Sequence, residues 1–296
     1  TATTEIYTLS LHDALRSKGE SPVAALILLH GSGPMDRDET VGPNRPFQDL
    51  AWGLASRGIA VLRYDKRSMV HGEKLSNMRI LQNFTVQDEY LDDAMAAVTF
   101  LKEEKRIDPK KIFFLGHSLG GMVLPRVAAK ASPAGIIVMA GPTRPLEDLI
   151  EEQTLYIFSL DGKINAEEKK KLDEVKAIVA EIRNLSVQPQ PAGKLLLGAC
   201  PKYWLDLQGY RPQETLKAMD IRALILQGKR DYQVTVADFE GWKKSLAEKE
   251  EVSFKLYPEL NHLFIPGKGK SVPAEYQLPG NVPEYVIEDI ARWIGK

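Results

Sequence analysis

The chain has 296 residues, 44% of them hydrophobic and 27% charged, with a net charge of -1. This composition suits one large α/β domain, or one domain with an insertion, and it supplies no basic field for nucleic acid or an anionic membrane. A single cysteine, Cys200, excludes an intrachain disulfide, and no apolar run approaches the ~18–20 residues a membrane helix needs.

The opening stretch TATTEIYTLS has neither a basic n-region nor an apolar h-region and lacks an initiating methionine. The sequence does not settle localisation: the cytoplasm is favoured, with a trimmed or mature amino terminus left open. Six runs then read as strands buried on both faces: Val23–Leu29, Ile59–Tyr64, Ile112–Leu115, Gly135–Ala140, Ala223–Gln227 and Val252–Tyr257. Helix-length segments separate them. Pro46–Arg57 stops at Gly58. Val86–Arg106 follows a Thr85-x-x-Asp88 capping pattern, a second such pattern opens at Thr235-x-x-Asp238, and Val282–Trp293 closes the chain. The alternation predicts a mostly parallel, twisted sheet with helices on both faces.

One interval breaks the rhythm. Residues 141–222 hold an amphipathic helix over about Ala166–Leu185, with Leu172, Val175, Ile178, Val179 and Ile182 on one face, then Pro189, Pro191 and Gly193. A simple crossover needs far fewer residues. Residues 143–215 are read as a helical cap over the strand ends, and 1–142 with 216–296 as the core.

The run Ile112–Leu115 ends in Gly116-His117-Ser118-Leu119-Gly120, and a helical pattern leaves it at once. About 0.08 Gly-x-Ser-x-Gly matches are expected by chance from 14 serines and 22 glycines, so context decides. Between a strand and a helix the motif reads as a nucleophile elbow, in which small neighbours at 116 and 120 are a steric requirement. Pro125, in the second helical turn, marks a kink.

A serine needs a base. In the elbow's chain order the base follows the nucleophile, and of His12, His30, His71, His117 and His262 only His262 does. The orienting acid is expected at Asp231, just past its strand. Asp220 precedes that strand and Asp238 reads as a helix cap. Oxyanion donors are expected at the Leu119 amide and, from the loop His30-Gly31-Ser32-Gly33-Pro34, at Ser32, with Gly33 next. His30 is read as fixing that loop by hydrogen bonding.

The motifs HGSGPMDRDET, LRYDKRS, GHSLGG, LILQGKRDYQV and ELNHLF occur in that order. Together they resemble the α/β-hydrolase superfamily, and within it the EstD-like carboxylesterases near the dienelactone-hydrolase and acyl-CoA thioesterase branches. The resemblance covers about residues 20–296. It implies an α/β-hydrolase fold, the same Ser118, Asp231 and His262, a helical insertion between the family's strands 6 and 7, and hydrolysis of short- to medium-chain esters. Many relatives continue Asp-x-Arg-Gly where this chain has Asp65-Lys66-Arg67-Ser68, and Asp65 and Arg67 are read as a structural ion pair.

Asp36, Asp38 and Glu39 lack the rest of a calcium-loop pattern, so they are read as a structured loop neutralised by Arg37, with no metal and no cofactor. Tyr156, Phe158, Tyr203 and Trp204, with Leu155 and Ile157, are the expected apolar acyl pocket. The expected partner is a small ester, with no nucleic acid. Oligomeric state is not legible. A thioesterase, acyltransferase or peptidase on the same triad is the alternative reading. A non-catalytic binding protein on this fold is the other class, against which an intact Ser, Asp and His weigh. A dehalogenase is disfavoured because its nucleophile is an aspartate.

Overall fold

The computed structural model describes residues 7–10, 21–75, 81–186 and 193–296. His12, Pro189 and Pro191 lie outside them. One sheet carries seven strands among the described residues: β1 (Tyr7–Ser10), β2 (Val23–Leu29), β3 (Ile59–Tyr64), β4 (Ile107–His117), β5 (Gly135–Met139), β6 (Ala223–Gly228) and β7 (Val252–Tyr257). Their spatial order is β1-β3-β2-β4-β5-β6-β7. β1 lies antiparallel on β3, and every other neighbouring pair is parallel.

The strands β2 to β6 carry apolar runs because both faces are covered there, whereas β7, at the sheet edge, exposes Ser253 and Lys255 and is not, as expected, buried on both faces. Ala25, Ile27 and Leu29 of β2 pack on one side with Val123 and Val127 of α3 (Leu119–Ala131) and Ala94 and Val98 of α2 (Asp92–Glu103). Leu26 and Leu28 pack on the other with Phe47 and Leu50 of α1 (Pro46–Ala55) and Val286 and Ile290 of the closing helix, Glu284–Ile294. This is the two-residue period of a strand between two helical layers. β4 begins five residues before the predicted Ile112, because Ile107 pairs with Val23 across a register shift. The exposed residues Pro109, Lys110 and Lys111 hide that extension from any hydrophobic pattern.

The segment read as one helix from Val86 is two elements. A π-turn spans Gln87–Leu91 and α2 follows. The wider turn places Glu89, Tyr90 and Leu91, three successive residues, all in the interior. Asp88 does reach back to Thr85, accepting its N–H at 2.9 Å and its hydroxyl at 2.7 Å.

Between β5 and β6 come α4 (Leu146–Phe158), α5 (Ala166–Arg183), α6 (Pro201–Leu207) and α7 (Pro212–Lys217). These two strands are the fifth and sixth among the described residues, where the resemblance implies an insertion between the sixth and seventh. α5 opens on a capping box between Asn165 and Glu168, and it buries Leu172, Val179 and Ile182 from its apolar stripe. Ile182, Leu185, Leu196 and Trp204 form a small cluster of their own, whereas Cys200, Tyr203, Leu207 and Leu216 join the main core. The expected boundary at 215 falls inside α7.

Two side-chain expectations are corrected. Asp238 does not cap α8 (Val236–Ser245). It is fully buried, accepts the Thr143 and Arg144 amides at 3.0 and 3.1 Å, and pairs with the Arg144 guanidinium at 2.8 Å. It anchors the start of the inserted segment. Asp65 and Arg67 do not pair with each other: Asp65 binds Arg37 at 2.5 Å and Arg67 binds Asp93 at 2.6 Å. Arg37 therefore neutralises Asp65, while Asp38 pairs with Arg63 and Asp36 accepts the Asp38 and Thr40 amides.

Candidate active site

The β4–α3 junction is a sharp turn. Ser118 sits at φ 53° and ψ -122°, half-buried, with its amide bonded to Met139 O at 2.9 Å. A positive φ at a serine costs roughly 1–3 kcal/mol and persists only where packing enforces it. The enforcement is visible at the glycines. A Cβ on Gly116 would lie 2.4 Å from Gly120 O, and one on Gly120 would lie 2.4 Å from both Leu29 O and His30 O. α3 thus presses on the end of β2, and the loop after β2 runs beside Ser118: a Cβ on Gly31 would be 3.2 Å from Ser118 Cβ. Leu119 is the first residue of α3, so its N–H has no acceptor within the helix and lies at the positive end of its dipole.

His262 and Asp231 come together past the ends of β7 and β6. His262 Nδ1 and Asp231 Oδ2 are 2.7 Å apart, and both residues are buried. The Asp231 carboxylate is fully used. Oδ1 accepts the Gln233 and Val234 amides at 2.8 and 3.0 Å, and Oδ2 also accepts Gln227 Nε2 at 3.2 Å. The His262 turn is built by Asn261, whose side chain accepts the Leu263 and Ile265 amides at 3.0 and 3.1 Å. Gly228 permits the close pass of that turn, since a Cβ there would meet Leu260 O at 2.4 Å.

A buried pair ties the elbow, the His262 turn and the first loop together. His117 Nδ1 lies 3.0 Å from Glu39 Oε2, and His117 Nε2 donates to His262 O at 2.9 Å. Glu39 Oε1 accepts the Gly31 amide at 2.6 Å. Burial pushes the His117 pKa down, but the Glu39 charge and these bonds outweigh it and hold the group above its ordinary value. Burial likewise raises Glu39, and His117 reverses that, so its carboxyl is held below the usual range. Neither residue was singled out for this role from sequence. A lone Glu in an acidic loop and a His beside the serine carry no pattern that links them.

His30 is packed between Phe47 and Tyr64, at ring-centroid separations of 5.0 and 5.5 Å, and hydrogen-bonds the Asp36 backbone. Burial lowers its pKa from 6.5 to about 4. The unfolded chain binds a proton here below about pH 6.5 while the native state resists it. The stability this confers is complete above pH 6.5 and is lost as the pH falls towards 4, by roughly 3 kcal/mol. His30→Phe is expected to lose correspondingly less stability between pH 7 and 4.5 than the wild type, as read from urea midpoints at the two pH values.

A cavity of about 640 Å³ opens onto Ser118, Leu119, Ser32 and Gly33. Leu146, Leu149, Ile150 and Gln153 of α4 line it from the inserted segment, together with Tyr203 and Trp204 of α6. Tyr156 and Phe158, expected with them, do not line it. Their helix carries them past it. Tyr156 stacks on Tyr232 at 5.0 Å and donates to Ser271 O at 2.9 Å, and Phe158 is turned about 140° from Gln153 around α4. Leu155 and Ile157 are exposed.

A family model described as the alpha/beta hydrolase family matches residues 26–268. The chain belongs to the alpha/beta hydrolase family. Esterase EstD of Thermotoga maritima is 42% identical over 279 residues, which is 94% of this chain and 64% of EstD, so the chain spans somewhat less than two thirds of that relative. Thiohydrolase apmlB of Arthrinium phaeospermum is 32% identical over 117 residues, 40% of this chain and 34% of that protein. Among solved structures, Est1E of Butyrivibrio proteoclasticus superposes with a TM-score of 0.58 at 17% identity, covering 99% of this chain and 97% of that one. The Pyrococcus furiosus esterase PF2001 gives 0.55 at 16%, covering 93% and 84%. At these identities the structural likeness speaks for the α/β-hydrolase fold alone.

Proposed function

We propose that the protein is a serine carboxylesterase acting on short- to medium-chain esters, with Ser118 as nucleophile, His262 as base and Asp231 as its orienting acid. What supports the reading is the 2.7 Å contact between His262 and Asp231, with the His262 ring 4.6 Å from that of His117, the residue before a serine on a strained turn. In this reading Ser118 Oγ attacks the ester carbonyl as His262 takes its proton. The Leu119 and Ser32 amides stabilise the oxyanion, and His262 then protonates the leaving alcohol. Water repeats the sequence on the acyl-enzyme. Residues 143–215 act as a cap that walls the acyl side of the cavity with Leu146, Leu149, Tyr203 and Trp204. EstD, an esterase by name, supports the choice of ester over other acyl groups.

A fluorophosphonate probe should label the protein at Ser118, located by peptide mass spectrometry. An unlabelled, folded protein would exclude the nucleophile and favour a binding role. A panel of p-nitrophenyl esters of rising acyl length, run beside acyl-CoA thioesters and aminoacyl amides, should give its highest kcat/KM among the short and medium esters. The thioester arm matters because one relative is a thiohydrolase by name. A thioester preference would move the chemistry to that class on the same three residues.

A further inference from the structure

Lys66 lies deep beneath the loop after β2, 1% exposed, and the reaction as written makes no use of it. Its ammonium spends all three of its donors. One goes to Gly31 O at 2.7 Å, one to the Tyr90 hydroxyl at 2.8 Å, and one to Glu89 Oε1 at 2.8 Å. The Tyr90 hydroxyl in turn donates to Gly31 O at 2.9 Å. Both lone pairs of that one carbonyl are therefore filled, one of them by a charged donor. On the other side of the residue, the Gly31 amide is held by Glu39 at 2.6 Å.

The carbonyl of Gly31 and the amide of Ser32 belong to the same peptide plane. In a trans peptide the two point in opposite directions, so fixing one fixes the other. A cation on the carbonyl oxygen also draws electrons from the nitrogen, which makes the N–H a stronger donor. We propose that Lys66 is a positioning residue: with Tyr90 it orients and polarises the Gly31–Ser32 peptide so that the Ser32 amide stands ready for the oxyanion formed at Ser118. The inference rests on the esterase reading and adds a residue to it.

The geometry around Lys66 fits an electrostatic task better than a packing one. Burial lowers its pKa, and Glu89 and Glu39 oppose that. A buried ammonium is costly, and an apolar side chain of the same length would fill the space without that cost. The second oxygen of Glu89 accepts the hydroxyl of Tyr203, from α6, at 2.5 Å. Glu89 and Tyr203 both line the cavity. A continuous set of bonds thus runs from the inserted segment through Glu89 and Lys66 to the peptide beside Ser118, and the π-turn is what lets Glu89 and Tyr90 both point into it.

The test uses the double variant Lys66→Met/Glu89→Gln, which removes both charges so that neither is left buried alone. It is assayed with a p-nitrophenyl ester and with a trifluoromethyl ketone, whose adduct with Ser118 carries an oxyanion. The expected result is a fall in kcat on the order of 10- to 100-fold, KM within about threefold of wild type, and ketone affinity weakened by the same factor as kcat/KM. A folded double variant with wild-type kcat and wild-type ketone affinity overturns the proposal, and so does a raised KM with kcat unchanged. Tyr90→Phe, which removes one hydroxyl, decides the matter should the double variant not fold. A loss of roughly threefold or more in both kcat and ketone affinity supports the role, and no change in either overturns it. A wild-type protein that forms no ketone adduct removes the Ser118 reading, and this one with it. A reactive wild type with an indifferent variant overturns this inference alone.

Discussion

Ser118→Ala is expected to lower kcat on a p-nitrophenyl ester by roughly 10⁵- to 10⁶-fold while leaving the fold intact. In the proposed reaction the loss is this large because the hydroxyl would form the covalent bond of the first step, and neither His262 nor the amides could substitute for it. The fold is spared for a separate reason. The strain at φ 53° belongs to the backbone and is enforced by the contacts at Gly116 and Gly120, none of which involves the serine hydroxyl. Alanine inherits the same φ at similar cost. Its amide still bonds to Met139 O and its carbonyl still accepts from the Met122 amide. The measurement is steady-state hydrolysis beside a urea titration of both proteins. Ester turnover within tenfold of wild type in the variant would sink the assignment, and an unfolded variant would show that the elbow needs the hydroxyl for its shape.

The strands and the elbow were legible because their signals are local. A strand buried on both faces must be apolar throughout, and Val23–Leu29 and Ile59–Tyr64 match their predicted bounds; Val252–Tyr257 matches too, but as an edge strand whose Ser253 and Lys255 face outward. Gly116 and Gly120 are required by close approaches, so they leave a mark in the residues themselves. Elimination points to His262 and the place after a strand to Asp231, and these two side chains lie 2.7 Å apart. The failures are of another kind. Asp65 and Arg67 are two apart in the chain, but their partners, Arg37 and Asp93, lie 28 and 26 residues away. Asp238 stands where a cap is expected, yet the donors it satisfies come from Thr143 and Arg144.

The buried charges were the least legible part. No sequence pattern marks Lys66, Glu89, Glu39 or His117 as buried, and a charge is seldom buried without a partner. Each partner here lies on another element: the loop after β2, the segment after β3, the π-turn or the elbow. The pairing exists only once the sheet order has placed β2 between β3 and β4. Of the expected pocket residues, Tyr203 and Trp204 line the cavity and Tyr156 and Phe158 do not, for a geometric reason. Four residues on one helix face, Leu146, Leu149, Ile150 and Gln153, reach the cavity, but the sequence marks an apolar stretch, Leu155–Phe158, farther along the same helix.

Asp231→Asn is expected to lower kcat by about 10⁴-fold with little change in KM. The reason lies in how many donors this carboxylate serves. Oδ1 accepts two backbone amides, from Gln233 and Val234, which an asparagine carbonyl oxygen in that place can still accept. The other position then holds an NH₂ group, facing Gln227 Nε2 and His262 Nδ1, where the carboxylate accepted. Two donors now meet the Gln227 amide and the imidazole. The imidazole can relieve the conflict by losing its proton from Nδ1 and carrying it on Nε2, and that tautomer cannot take the Ser118 proton. The flipped asparagine is worse, because its NH₂ group would face the two backbone N–H groups, both fixed by the turn. Ground-state contacts with substrate are untouched, so KM should hold while kcat falls. The check is a steady-state comparison on one ester, with the imidazole tautomer read from the ¹⁵N shifts of His262. A variant that keeps the Nδ1–H tautomer and wild-type kcat would show that Asp231 does not orient the base.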